Sequence, residues 1–188
     1  MGLTVREKAE YLGTFRWLEV FQMEMLARWI PQVPELEAKV LMGRHVWDFA
    51  QHADALGKRT FELRAPLHYT LPPLAPYVKL MRDFAEVETT AERLYVFYNV
   101  ILPALELRYR HYLKNTDELL DDPSVRVVQR ILEDNARLRR ESEQLRAELK
   151  DFRLADLDGS KEWAKEEAAF IQIVSHGTGS TLARGANA

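Results

Sequence analysis

Cysteine is absent from the 188 residues, and with it go disulfide bonds, thiolate metal sites and a cysteine nucleophile. No apolar run approaches the roughly 18 residues that a membrane span needs, so no membrane partner is expected. The opening MGLTVREKAEYLG places Arg6, Glu7, Lys8 and Glu10 where a secretory signal has its apolar stretch. Arg6 also stands where a myristoylation signal has Ser or Thr. A soluble, cytoplasmic protein is the expectation. Charge of one sign is also lacking: 26 Lys and Arg stand against 29 Asp and Glu. No block gathers the basic residues, which argues against nucleic acid as a partner. No internal repeat of solenoid length is present, and the late GTGST is too short and isolated to cradle a phosphate.

What is there reads as an all-α protein with one core-forming domain: 47% of the residues are hydrophobic and 29% charged. Four long segments show helical periodicity, and none shows sustained strand alternation. The first runs from Thr4 to Trp29 and stops at Pro31 and Pro34. The second opens after Pro34 and continues to Arg64. APLHYTLPPLAPY is a proline-rich connection that crosses from one end of a bundle to the other. The third helix covers Val78 to Lys114, broken near Thr89–Glu92 and bent at Pro103. A fourth follows from Ser124 to Phe152, with Asp122 as its cap and Pro123 at its first position. Ser160 caps a short fifth helix that ends before Gly177. Residues 1–152 thus form the bundle, 153–176 a short helix packed on it, and 177–188 a disordered tail.

Stepping 100° per residue shows which polar groups share the apolar stripes. Gln22 lies within the stripe of the first helix, with Glu19 and Glu24 on its flanks. His45 and His52 sit near the middle of the second helix's buried face, and Asp48 at its edge is one turn from each. The third helix presents Tyr95, Tyr98 and Tyr109, with Asn99 and Glu106 to one side. Asn135 and Ser142 interrupt the stripe of the fourth, where Asp134 is marginal and Arg137 points outward. Unpartnered, such groups cost about 1–3 kcal/mol each to bury, so they are expected to bond to one another or to water.

The helix order, the long connection, the segment HVWDFAQHADALGKRTFELR and the opening DDPSVRVVQRILED resemble the ferritin-like family of four-helix bundles across residues 10 to 150. The resemblance implies an up-down bundle with a long crossover. It also implies a diiron centre built from one carboxylate on each of two helices and E-x-x-H on each of the other two. This chain has no E-x-x-H: Met42 and Phe49 stand three before His45 and His52, and DNAR, Asp134 to Arg137, occupies the later position. Arginine offers a metal no lone pair.

The expectation is therefore a bundle without the usual diiron centre or any other cofactor, holding a small organic ligand in its core. Acid–base chemistry would fall to His45 and His52, oriented by Asp48, with Gln22, Tyr95, Tyr98, Glu106, Tyr109 and Asn135 contacting the ligand. The resemblance adds a possible setting in specialised metabolism. One alternative is an iron- or manganese-dependent oxidase using His45, Asp48, His52 and Glu106, joined by Glu19 or Asp134. Another is a non-catalytic module: Leu138, Leu145 and Phe152 recur every seven residues, as in a coiled-coil seam that could form a homodimer through the fourth helix.

Overall fold

The computed structural model describes residues 3–66, 69–149, 160–170 and 173–174. Among them there is no strand. The elements are α1 (Val5–Trp29), α2 (Leu36–Glu62), α3 (Ala75–Ala85), α4 (Thr90–Tyr95), a π-helical turn (Val96–Ile101), α5 (Leu102–Asn115), α6 (Asp122–Glu148) and α7 (Ser160–Ala168). No helix among these residues is long and apolar enough to cross a membrane.

α1 starts at a capping box in which the Thr4 hydroxyl and the Glu7 carboxylate each accept from the other's backbone N–H. It passes into a 3-10 turn, Ile30–Gln32, ahead of Pro34. α2 closes at Leu63, and Arg64 then takes a left-handed conformation with φ 65°. The third helix differs from its expectation. The chain makes α3 within the crossover, stops at Glu86, and restarts through a second capping box of Thr89 and Glu92. The box satisfies backbone N–H groups that a continuous helix would have bonded internally, so the break is built into the sequence at Thr89.

At Pro103 the expected bend is instead a register change. Proline has no N–H to give the Asn99 carbonyl, and its ring crowds that carbonyl. The ladder before it widens, and the Leu102 N–H bonds Phe97, five residues back. The expected cap at Asp122 also shifts: α6 begins at Asp122, and neither Asp122 nor Asp121 caps through its side chain. Asp121 is turned inward instead. Its carboxylate accepts from the Tyr112, Thr116 and Ser124 hydroxyls and from Arg59, with Lys8 at 3.7 Å. α6 ends at Glu148; Phe152 and the tail from 177 lie outside the described residues, and the fifth helix is shorter than expected, since it ends at Ala168 and Phe170, Ile173 and Val174 are not helical. Ser160 is the first residue of α7 rather than the residue before it.

Side-chain bonds fix the helix directions. His45 meets Tyr98, and Glu19 joins His52 to Tyr109, so α2 runs parallel to the α4–α5 rod and antiparallel to α1. His45–Glu141 and His52–Asp134 set α6 antiparallel to α2. The crossover therefore travels the length of the bundle. The Leu71 N–H bonds the Gly13 carbonyl near one end, and the Trp29 indole bonds the Ala85 carbonyl near the other. Between the helices lies one apolar core rich in rings: Phe15 packs edge-on to Tyr109 at 4.7 Å, and Phe97 lies between Trp29 and Phe49. Leu138 and Leu145 are buried in this same core. α7 is tied down by Glu167, which takes Arg108 at 2.7 Å and the Tyr77 hydroxyl at 2.8 Å.

Candidate functional site: two buried histidine chains

His45 and His52 are two helical turns apart on α2 and almost fully buried. Each ring is bonded at both nitrogens. His45 Nδ1 lies 2.6 Å from the Tyr98 hydroxyl and Nε2 lies 3.1 Å from Glu141. His52 Nδ1 lies 2.9 Å from Glu19 and Nε2 lies 3.1 Å from Asp134. The other oxygen of Glu19 accepts from the Tyr109 hydroxyl. Two chains result, Tyr98–His45–Glu141 and Tyr109–Glu19–His52–Asp134. Each runs from a buried phenol to a carboxylate whose side chain is 24% exposed.

Arg137 joins them. Its guanidinium donates to Asp134 at 3.2 Å, to Glu141 at 3.1 Å and to Asp48 at 2.8 Å. The arrangement follows from spacing: His45 and His52 are seven apart on one helix, Asp134 and Glu141 seven apart on an antiparallel one, and Arg137 stands between.

The partners decide the proton positions. A carboxylate only accepts, so the Nε2–H of a neutral His45 donates to Glu141, and Tyr98 then donates to Nδ1. His52 faces a carboxylate on each side and needs both N–H groups, which is the imidazolium. The electrostatics agree. Burial disfavours the charged ring in both, and at His45 it wins over Glu141 and Asp48, holding the ring below its ordinary value. At His52 the charges and hydrogen bonds of Glu19 and Asp134 outweigh burial and raise it. Burial pushes the Tyr98 and Tyr109 phenols far up. Bonds from the histidines and Arg137 hold Asp134 and Glu141 below the usual carboxylate range, against the opposing effect of burial. Two like residues on one helix are thus shifted in opposite directions.

Several expected contacts are arranged differently. Asp48 bonds neither histidine; it holds Arg137, and Glu19, Asp134 and Glu141 orient the rings. Glu106 faces Arg139 at 3.4 Å, and Tyr95 lies 6.4 Å from the Trp163 ring. The set His45, Asp48, His52 and Glu106 is therefore not brought together. Among the described residues, no group of three His, Asp or Glu side chains converges as a metal site requires. Glu19, expected on a flank, is fully buried. Glu141 was legible only as the residue seven beyond Asp134.

The remaining interior polar groups are less well served. Gln22 donates to the Leu18 carbonyl at 3.1 Å, but its Oε1 has no partner among the described residues. The same holds for both amide atoms of Asn135 and for the hydroxyls of Ser142 and Thr14. All four residues are buried.

The chain matches no family model, no curated protein and no solved structure.

Proposed function

We propose that the protein is a ferritin-like bundle that binds a small organic ligand in its interior and transfers protons to and from it without a metal, through the Tyr98–His45–Glu141 and Tyr109–Glu19–His52–Asp134 chains. The lengthwise crossover, with α2 parallel to α4–α5, supports the ferritin-like reading. The observation that carries the chemistry is a pair of buried histidines pushed to opposite sides of the ordinary imidazole value, each linking a buried group to a partly exposed carboxylate. A proton accepted by Tyr98 from a ligand can be matched by one passed from His45 through Glu141 to solvent, and His52 holds a proton ready to donate. The unpartnered amide of Asn135 and the Ser142 hydroxyl supply ligand contacts, since each costs about 1–3 kcal/mol if left unmade.

Native mass spectrometry of the purified protein tests the reading, combined with solvent-deuterium incorporation into any retained compound. A bound compound that exchanges deuterium in wild type, and is lost in Asn135→Leu, is the expected result. A ligand-free wild type whose only response to Asn135→Leu is a gain in stability would overturn it.

A further inference from the structure

Near the C-terminal end of α6, Arg146 is only 9% exposed. Its Nε–H donates to the Ser142 carbonyl at 3.2 Å and its Nη1 to Asn99 Oδ1 at 2.5 Å. No carboxylate pairs with it among the described residues. Burial accordingly lowers its pKa, against the opposing influence of the exposed Glu143 on its own helix and of Tyr98 and Tyr95. Arg108, buried to the same degree, meets Glu167 at 2.7 Å. Arg93 also lacks a carboxylate, but its guanidinium lies over the Trp29 ring at 5.8 Å.

A guanidinium carries five N–H donors, so three on Arg146 have no acceptor among the described residues. One turn back on the same helix, the buried Ser142 hydroxyl has no partner either. The π-helical turn carries both Asn99, which orients Arg146, and Tyr98, which begins the His45 chain. The charge of Arg146 acts on the Tyr98 phenol. Asn99 also lines a groove of about 560 Å³ between α5 and α7, alongside Pro103, Ala104 and Leu107.

We infer that Arg146, the Ser142 hydroxyl and Asn99 form a binding site for the carboxylate of a small organic acid, held beside the Tyr98 hydroxyl at the inner end of the Tyr98–His45–Glu141 chain. The inference deepens the function proposed above and rests on it by naming the ligand class. The planar fork of arginine matches a planar carboxylate with two parallel hydrogen bonds, and the serine hydroxyl supplies a third. One buried cation calls for a monoanion, since Arg139, seven residues back on the same face of α6, is already met by Glu106 and Arg140 is exposed. With the carboxylate fixed there, the adjoining carbon of the acid lies near Tyr98, the group placed to exchange a proton with it.

The test uses the whole chain, titrated with sodium acetate and sodium benzoate at constant ionic strength, with sodium chloride and inorganic phosphate as comparison anions. Melting temperature and the ¹H–¹⁵N signals of the Arg146 Nε–H and the His45 ring are followed. Both carboxylates should raise the melting temperature to a plateau and move both signals, while chloride does neither. Arg146→Gln should abolish the plateau, and Ser142→Ala should weaken apparent affinity about tenfold, the equivalent of one hydrogen bond to a charged group. If Arg146→Gln does not fold, the wild-type signals and Ser142→Ala decide the matter. A wild type with no saturable carboxylate response, one that answers phosphate alone, or one whose Arg146 signal stays fixed would overturn the site. Carboxylate binding in a protein that never exchanges deuterium into its ligand would overturn the acid–base reading and leave this site standing.

Discussion

Asn135 illustrates what a single buried side chain contributes here. It sits at zero exposure with neither amide atom bonded among the described residues, an arrangement that opposes folding. Asn135→Leu, which keeps the branched shape and removes both unbonded polar atoms, should stabilise the ligand-free protein by about 1–3 kcal/mol, read from urea denaturation. The histidines make a second prediction at this scale, with opposite signs. His52 titrates above its ordinary 6.5, so its stabilising contribution is complete below that value and is lost as pH climbs through the folded value. His45 titrates below 6.5, so its neutral ring must charge on unfolding, and stability falls as pH drops from 6.5 through the folded value. His52→Gln should flatten the alkaline side of the stability profile and His45→Gln the acid side. Imidazole ¹⁵N shifts give the direct check: His45 should stay neutral and His52 charged at pH 6.5.

At the level of the helix, two glycines respond differently to the same change. A Cβ on Gly13 would meet the Tyr69 ring at 2.8 Å, where the crossover lies against α1. Gly13→Ala should therefore displace that ring and destabilise the protein by about 1–3 kcal/mol, the usual range for overpacking. Gly43 has nothing within 4 Å of such a Cβ and lies in the exposed interior of α2, so Gly43→Ala should add about 1 kcal/mol. Thermal denaturation of the two variants side by side would check both signs.

Helix existence was legible because the apolar stripes carry the period of 3.6: Phe15, Leu18, Met25, His45, Phe49 and His52 are all buried as the pattern requires. The π turn was not, because proline announces a lost hydrogen bond without saying whether the helix bends or re-registers. Glu19 and Arg137 were placed too far outward because angular position treats all side chains alike. A glutamate on the flank can still swing to a histidine, and a long arginine can lie across three carboxylates.

Across the molecule, Asp121 gathers one end of the bundle. Lys8 of α1, Arg59 of α2, Tyr112 and Thr116 around the end of α5, and Ser124 of α6 all converge on a carboxylate with no exposure. These donors outweigh burial and hold it below the usual carboxylate range. Its contribution is therefore intact above the ordinary Asp value and is lost as pH falls through the folded one. Asp121→Asn leaves the buried Lys8 without its counter-charge and Arg59 with Glu62 alone, and a loss of about 3 kcal/mol is expected, measurable as a lower urea midpoint at neutral pH.

The lengthwise crossover also bears on how the chain assembles. α1 with α2, and α5 with α6, are two hairpins of neighbouring helices, each able to form from local contacts. Of the bonds in the histidine chains, only Glu19–His52 lies within the first hairpin. Those from His45 to Tyr98 and Glu141, from Tyr109 to Glu19 and from His52 to Asp134 all cross the seam between the hairpins. Until the hairpins dock, these groups are hydrated; at docking they lose water together. Docking thus carries a dehydration cost set by charge, and refolding speed measured by stopped flow across pH is expected to follow the protonation of His45 and His52.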